Sequence, residues 1–218
     1  MELEGLSHVL IGPMASQNDD TIDPKDVVIL NSETGGPTGF SIKNLSPATE
    51  KEYGGDGVFS VSTSGAGDVE LTFNALDLPQ DLVAKLMGYQ KDSTGMWIHG
   101  RNSLPIPAAV MGISHHGGKA VFLGMFKGMF ARGDVNPETN NEKNNKAHDS
   151  LTYTATQNAK GQVYAEGSEG ADGVTVANAT KLIFGTEIEI PGLNDNDDTA
   201  PEVESIATTD KTATINTK

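Results

Sequence analysis

From Asp68 to Gly88 the chain reads DVELTFNALDLPQDLVAKLMG, and the period of its apolar positions changes partway along. Val69, Leu71 and Phe73 alternate with Glu70, Thr72 and Asn74, which predicts a strand with one buried face. Beyond Ala75 the spacing turns helical: Leu78, Leu82, Val83, Leu86 and Met87 share a stripe, and Gly88 suits a left-handed stop. Asp77 is the expected N-cap, with Gln80 placed to complete a capping box. Pro79 is tolerated there because first-turn amides have no helical partner to lose. A buried large aliphatic side chain stabilises by roughly 1.5–3 kcal/mol. Leu78, Leu82, Val83 and Leu86 are therefore expected to form the core face of a short helix held against a sheet.

Short strands separated by Gly, Ser, Thr and Asp make up most of the remaining pattern. Leu6–Ile11 predicts a first strand ended by Gly12-Pro13, followed by a polar loop over 14–26 and a brief apolar run, Val27–Leu30. Gly39–Leu45 and Val58–Ser62 predict strands on either side of a long loop at 46–57, and Met96–His99 a brief one. Ser150–Thr156 alternates with Leu151, Tyr153 and Ala155 inward, and Val163–Ala165 is a candidate partner for it. Val174–Phe184 fits a strand or a short helix equally well. Residues 133–149 have no periodicity and are expected to be an exposed loop. The last segment, 191–218, is acidic, Thr-rich and poor in large apolar side chains, with only Val203, Ile206 and Ile215 hinting at a strand; it is expected to be a tail or linker. The prediction is a mainly β domain over 1–190: an antiparallel β-sandwich or barrel with one short flanking α-helix.

The most informative pattern is a hairpin, Ala108–Ser114 and Lys119–Ala131, joined by His115-His116-Gly117-Gly118. With Gly117-Gly118 as the turn, Ser114 opposes Val121, Ile113 opposes Phe122, Val110 opposes Met125 and Ala109 opposes Phe126. One face then carries Ala109, Met111, Ile113, Phe122, Phe126 and Phe130; the other carries Val110, Val121, Leu123, Met125 and Met129. Both faces are apolar, so both need cover, from the domain itself or from another subunit. Val110, Val121, Leu123, Met125 and Met129 are the candidates for a subunit interface.

Charge and composition narrow the function. Thirty Asp and Glu against fifteen Lys and Arg give a formal charge of −15, which disfavours nucleic-acid and anionic-membrane binding. The chain has no cysteine, hence no disulfide framework and no thiolate zinc site. The start MELEGLSHVL lacks the features of a signal peptide, which suits cytoplasmic synthesis. His115-His116 invites a metal or hydrolytic reading, but adjacent strand residues face opposite ways, and a polar turn explains them better. Arg132-Gly133-Asp134 spells an integrin-binding tripeptide and Asn178-Ala179-Thr180 a glycosylation sequon, both short enough to arise by chance. Asp77 and Asp81 form a carboxylate pair, which a helix start explains without acid–base chemistry. No catalytic, cofactor or metal site is expected.

The segments GLSHVLIGP, VELTFNALDLPQDLVAKLMGY, VFLGMFKGMFARGD and LTYTATQ, in that order, resemble the major tail protein (tail tube protein) of long-tailed, siphovirus-type bacteriophages of Gram-positive hosts. The resemblance covers roughly residues 5–165, and the strand–helix segment is its most specific part; the Asn-rich stretch at 136–148 and everything past Gly185 depart from it. It implies a structural, non-enzymatic subunit that forms hexameric rings stacked into a tube for DNA ejection. It also implies assembly in the host cytoplasm and contacts with the tape measure, tail terminator and distal tail proteins. DNA would pass without specific binding and no membrane would be involved. Axial contacts are then expected from the 46–57 loop and the termini. Two other classes compete: a secreted or surface adhesion or glycan-binding β module, suggested by PEVESIATTDKTATI, and a hydrolase using His115 or His116.

Overall fold

A computed structural model describes residues 2–47, 49–54, 56–62, 65, 67–135 and 148–193. The strands before the first helix are β1 (Glu4–Ser16), β2 (Asp19–Ile22), β3 (Val28–Leu30), β4 (Pro37–Lys43), β5 (Glu50–Gly54), β6 (Gly57–Ser62) and β7 (Glu70–Ala75). Helix α1 (Gln80–Leu86) leads into β8 (Gln90–Lys91), β9 (Trp97–Ile98), β10 (Ala108–His116) and β11 (Lys119–Arg132). Then follow β12 (Asp149–Thr156), β13 (Tyr164–Ser168) and α2 (Val176–Phe184). The main sheet runs β2-β1-β10-β11-β12-β7-β4, every pairing antiparallel, with β3 also on β1 and β13 also on β11. It curls until β4 lies against β1, and Phe40 of β4 reaches Gly112 of β10. The architecture is mainly β and consistent with the expected sandwich, but it carries two helices rather than one.

The curled sheet encloses one core and leaves a second on its outer side. Inside lie Val9, Ile11, Leu71, Phe73, Val110, Met125, Leu151 and Tyr153, capped by Leu78, Leu82, Val83 and Leu86 of the α1 segment. On the outer face, Leu10, Met14, Met111, Ile113, Phe122 and Phe126 pack under α2 and the following strap, where Ile190 is fully buried. The segment 174–184 thus resolves as a helix. Thr175 caps its start by accepting from the Asn178 amide at 3.1 Å, and Gly185 ends it at a φ of 77°. Two glycines in the strands below give it a seat. A Cβ on Gly12 would come within 2.9 Å of the Phe184 ring, and one on Gly124 within 2.5 Å of the Ile183 side chain.

Several local expectations change. Asp77 does not cap α1; Pro79 occupies the N-cap without a side-chain bond, and the Leu78 amide instead donates to Asp149 Oδ2 at 3.1 Å. The long-range partner wins because Asp149 opens β12 beside the end of β7. Gly12-Pro13 does not end β1. The Met14 amide donates to Pro107 O, so the amide that Pro13 lacks falls on the opposite edge, between the stretches that pair with β3 and β2. The 14–26 loop contains β2 and a short 3-10 turn over Pro24–Asp26, and the 46–57 loop contains β5 and the start of β6. β13 pairs with β11 rather than β12. Leu193 packs on the outer core; Val203, Ile206, Ile215 and most of the 133–149 loop fall outside the described residues.

The β10–β11 register is the expected one from Ser114–Val121 to Val110–Met125, with Gly117 and Gly118 in the turn at φ 56° and 79°. It fails at the next step. Ala108 pairs with Gly128, so β11 carries one extra residue there, a β-bulge. The bulge reverses which side chains point inward: Phe126 faces the outer core, whereas Phe130 joins the inner one with Met125. Beyond it, the Tyr153 ring lies over Gly128 and its hydroxyl donates to Ala108 O at 2.8 Å. Burial raises the pKa of that phenol well above its ordinary value.

Candidate functional site

The five hairpin residues expected at an interface do not form an exposed patch. Val110, Val121 and Met125 have no solvent exposure, whereas Leu123 and Met129 are half-buried. The face thought to need a second subunit is closed from within: the sheet curls over Val110 and Met125, and β13 runs alongside Val121 and Leu123. The helix residues Leu78, Leu82, Val83 and Leu86 sit in the inner core, 5 % exposed or less.

The uncovered apolar surface lies elsewhere. β5 and β6 form a two-stranded sheet of their own. Tyr53 is 72 % exposed and Phe59 81 %, with Val58 and Val61 about half exposed. Lys51 opposes Val61 and Tyr53 opposes Val58, which puts these four on one face, and β6 carries one extra residue, Phe59, where the register shifts. Glu52 opposes Ser60 on the other face, where the Ser60 hydroxyl donates to Glu52 Oε2 at 2.9 Å. An isolated two-stranded hairpin is marginal in water, and this one turns an aromatic and aliphatic face outward. A signal for it was present: EKEY and VFSVS alternate on both sides of the turn-forming GGDG. A second exposed group, Met96, Ile98 and Leu104, lies between α1 and β10, where Lys91 Nζ sits 5.0 Å from the centre of the Trp97 ring.

The reactive-looking motifs are dispersed. His116 Nδ1 contacts Glu2 O at 2.6 Å, and His115 lies beside Ala120 in the β10–β11 ladder. No group of three His, Asp or Glu side chains is placed to hold a metal among the described residues. Arg132 faces Asp149 at 3.6 Å, and the Gly133 amide donates to Ser150 O, so the start of the tripeptide continues the β11–β12 ladder. Asp81 lies 4.0 Å from Lys91. Asn178 uses its side-chain amide to donate to Gly173 O at 2.9 Å. None of these places a nucleophile beside a base. No helix of the described residues is long and apolar enough to cross a membrane.

One polar cluster does structural work at the bulge. Lys127 Nζ donates to Asp20 Oδ1 at 2.6 Å and to Gln17 O at 3.3 Å, while Asp20 Oδ2 accepts from the Ala159 amide at 3.0 Å. The Lys127 bond first, and then the Ala159 amide, hold the Asp20 carboxyl below its ordinary pKa. The cluster ties the β1–β2 turn to β11 and to the β12–β13 connection.

These features describe a subunit with a closed core, an open sheet and a projecting apolar hairpin, and with no assembled catalytic group among the described residues. No curated protein matches the chain. The family model described as phage tail tube protein matches residues 12–189, most of its length and nearly all of the described sheet. The chain belongs to the phage tail tube protein family and is a structural component of the virion tail.

Proposed function

We propose that this protein is the repeating subunit of the tail tube of a long-tailed, siphovirus-type phage of a Gram-positive host. Six copies close into a ring, and rings stack into the conduit through which DNA is ejected. The observation that carries the reading is the β5–β6 hairpin, an amphipathic two-stranded sheet whose apolar face the described chain leaves open. A polymer supplies cover for such a face; a soluble monomer does not. Edge-to-edge joining within the ring is supported by β4, which forms a ladder with β7 alone, and by β2, which forms one with β1 alone. The formal charge of −15 suits a conduit, because an acidic wall releases no counterions from passing DNA and does not hold it. In this reading subunits assemble in the host cytoplasm, with tape measure, tail terminator and distal tail proteins as partners and no membrane step. Catalysis has no part in it.

Light scattering and negative-stain microscopy of the purified protein over a concentration series test the proposal. Hollow tubes or stacked six-fold rings are expected. A protein that stays monomeric at every concentration, under salting-out conditions and with a tail-initiation complex present, overturns it.

A further inference from the structure

His8 sits at the irregular step of the β1–β10 ladder. Glu4 pairs with His115 and His8 with Ile113, so Gly5, Leu6 and Ser7 run past Ser114 alone. The two hydroxyls there are committed: Ser114 Oγ donates to Gly5 O at 2.6 Å and Ser7 Oγ to Ile113 O at 3.1 Å. Among the described residues His8 Nδ1 is the one side-chain nitrogen or oxygen that is buried with no hydrogen-bond partner. By strand alternation with Leu10 the ring lies on the outer face. There it meets the strap that follows α2 (186–193) and hydrogen-bonds the Pro191 carbonyl. The strap is otherwise held by the full burial of Ile190 and the packing of Ile188 and Leu193 on the outer core. The Ile188 amide donates to Thr180 Oγ1 at 3.2 Å and the Leu193 amide to Ile190 O at 3.1 Å.

The charged groups around the ring come from three elements. β10 brings His115, with Glu4 opposite it; the turn before β4 brings Glu33; the strap brings Glu189 and Glu187, the latter paired with Lys181. A proton on Nδ1 would make a buried N–H without an acceptor. We propose that His8 is an acid-sensitive latch: its neutral ring holds the 186–193 strap on the outer core, and protonation releases the strap while the sheet beneath stays folded. Burial disfavours the imidazolium most, the Pro191 carbonyl partly offsets this, and His115 adds a smaller opposition, so the His8 pKa is held below its ordinary 6.5. The unfolded chain therefore takes the proton more readily than the folded one. The stability that the neutral ring contributes is full above the unfolded value and is lost as pH falls through it toward the lower folded one. The pocket that His8 and Pro191 share also carries Glu33, a counter-charge for the released imidazolium. The latch acts within one subunit and holds whether or not copies assemble.

Amide hydrogen exchange of the dilute, unassembled subunit, corrected for the intrinsic pH dependence of exchange, tests the latch. Between about pH 7.5 and about pH 5 the Ile188 and Leu193 amides are expected to lose protection, while those of β10 and β11 keep theirs. His8→Gln, which keeps a donor for the Pro191 carbonyl and does not titrate, should flatten that change. His115→Gln should shrink it, because a like charge beside the ring is gone. Imidazole NMR of the wild-type chain gives a reading that needs no variant: His8 should titrate below 6.5. Protection at residues 188 and 193 that holds through the whole range overturns the latch, and so does a loss that persists unchanged in His8→Gln. Sheet amides that open together with the strap overturn it as well, because the event is then global unfolding. If His8→Gln does not fold, the wild-type titration decides, and a His8 that titrates at or above the ordinary value overturns the latch.

Discussion

Two hairpins in this subunit are built from similar residues and meet opposite fates. β10–β11 is apolar on both faces and is covered on both by its own chain: the curled sheet and α1 on one side, α2 and its strap on the other. β5–β6 is apolar on one face, and Tyr53, Val58, Phe59 and Val61 remain exposed. The more hydrophobic hairpin is therefore the internal one, and the less hydrophobic one is the better candidate for contact between copies. Apolar content measures how much cover a surface needs; tertiary placement decides who supplies it. On the outer side the supplier is a nine-residue helix whose pattern alone left strand and helix equally open.

The sharpest way to break the contrast is to charge the interior hairpin. Met125→Lys places an ammonium at a position with no solvent exposure, within the inner core. It is expected to cost about 4 kcal/mol or more and to give insoluble or unfolded protein. Leu82→Asp, on the core stripe of α1, should do the same. Circular dichroism and urea titration decide it. A soluble Met125→Lys subunit with the wild-type melting temperature and no ring formation would return the interface to β10–β11.

Gly124→Ala tests the cover rather than the hairpin. Its new methyl group would stand 2.5 Å from the Ile183 side chain, so α2 must lift from its seat. The expected loss is about 1–3 kcal/mol, read as a lower urea midpoint. A neutral result would mean that α2 is not what closes the outer face.

Asp20 provides a smaller and pH-dependent effect where β11 bulges. Its carboxyl is held below the ordinary value of 3.8, so the folded state binds a proton less readily than the unfolded chain. The stability it contributes is present above the unfolded pKa and is lost as pH falls through the lower folded one. Asp20→Asn is expected to cost about 1 kcal/mol at pH 7 and almost nothing under strongly acidic conditions. Equal losses at both pH values would assign the cost to packing instead.

The parts legible in the sequence are those governed by local period and turn chemistry. The β7–α1 stripe, the Gly117-Gly118 turn and the register up to Val110–Met125 follow from neighbours within a few residues. The rest depends on distant partners. The bulge that moves Phe130 to the inner core leaves no mark in an apolar run such as VFLGMFKGMF. The Leu78 amide just ahead of α1 finds its acceptor in Asp149, some seventy residues away, and the glycines that seat α2 look from the sequence like ordinary strand breakers. The burial of Val110, Val121 and Met125 was hidden for the same reason: it comes from β13 and the curl of the sheet, neither of which the hairpin itself encodes.

The smallest expected effect on the subunit is also the one that separates the two hairpins most cleanly. Phe59→Ser combined with Val61→Ser removes the apolar centre of β5–β6 at positions that are mostly solvent-exposed. Exposed substitutions away from buried features shift stability by about 0.5 kcal/mol or less, so the melting temperature of the unassembled subunit should hardly move. On the proposed reading assembly should be lost, because a polymer would be what removes Phe59 and Val61 from water. Thermal melts at dilute concentration and light scattering at high concentration read the two halves of the claim on one preparation. A double variant that assembles as wild type would show that the hairpin makes no contact between copies. One that melts far below wild type would show that its apolar face packs against its own chain, and the contrast with β10–β11 would then be one of degree.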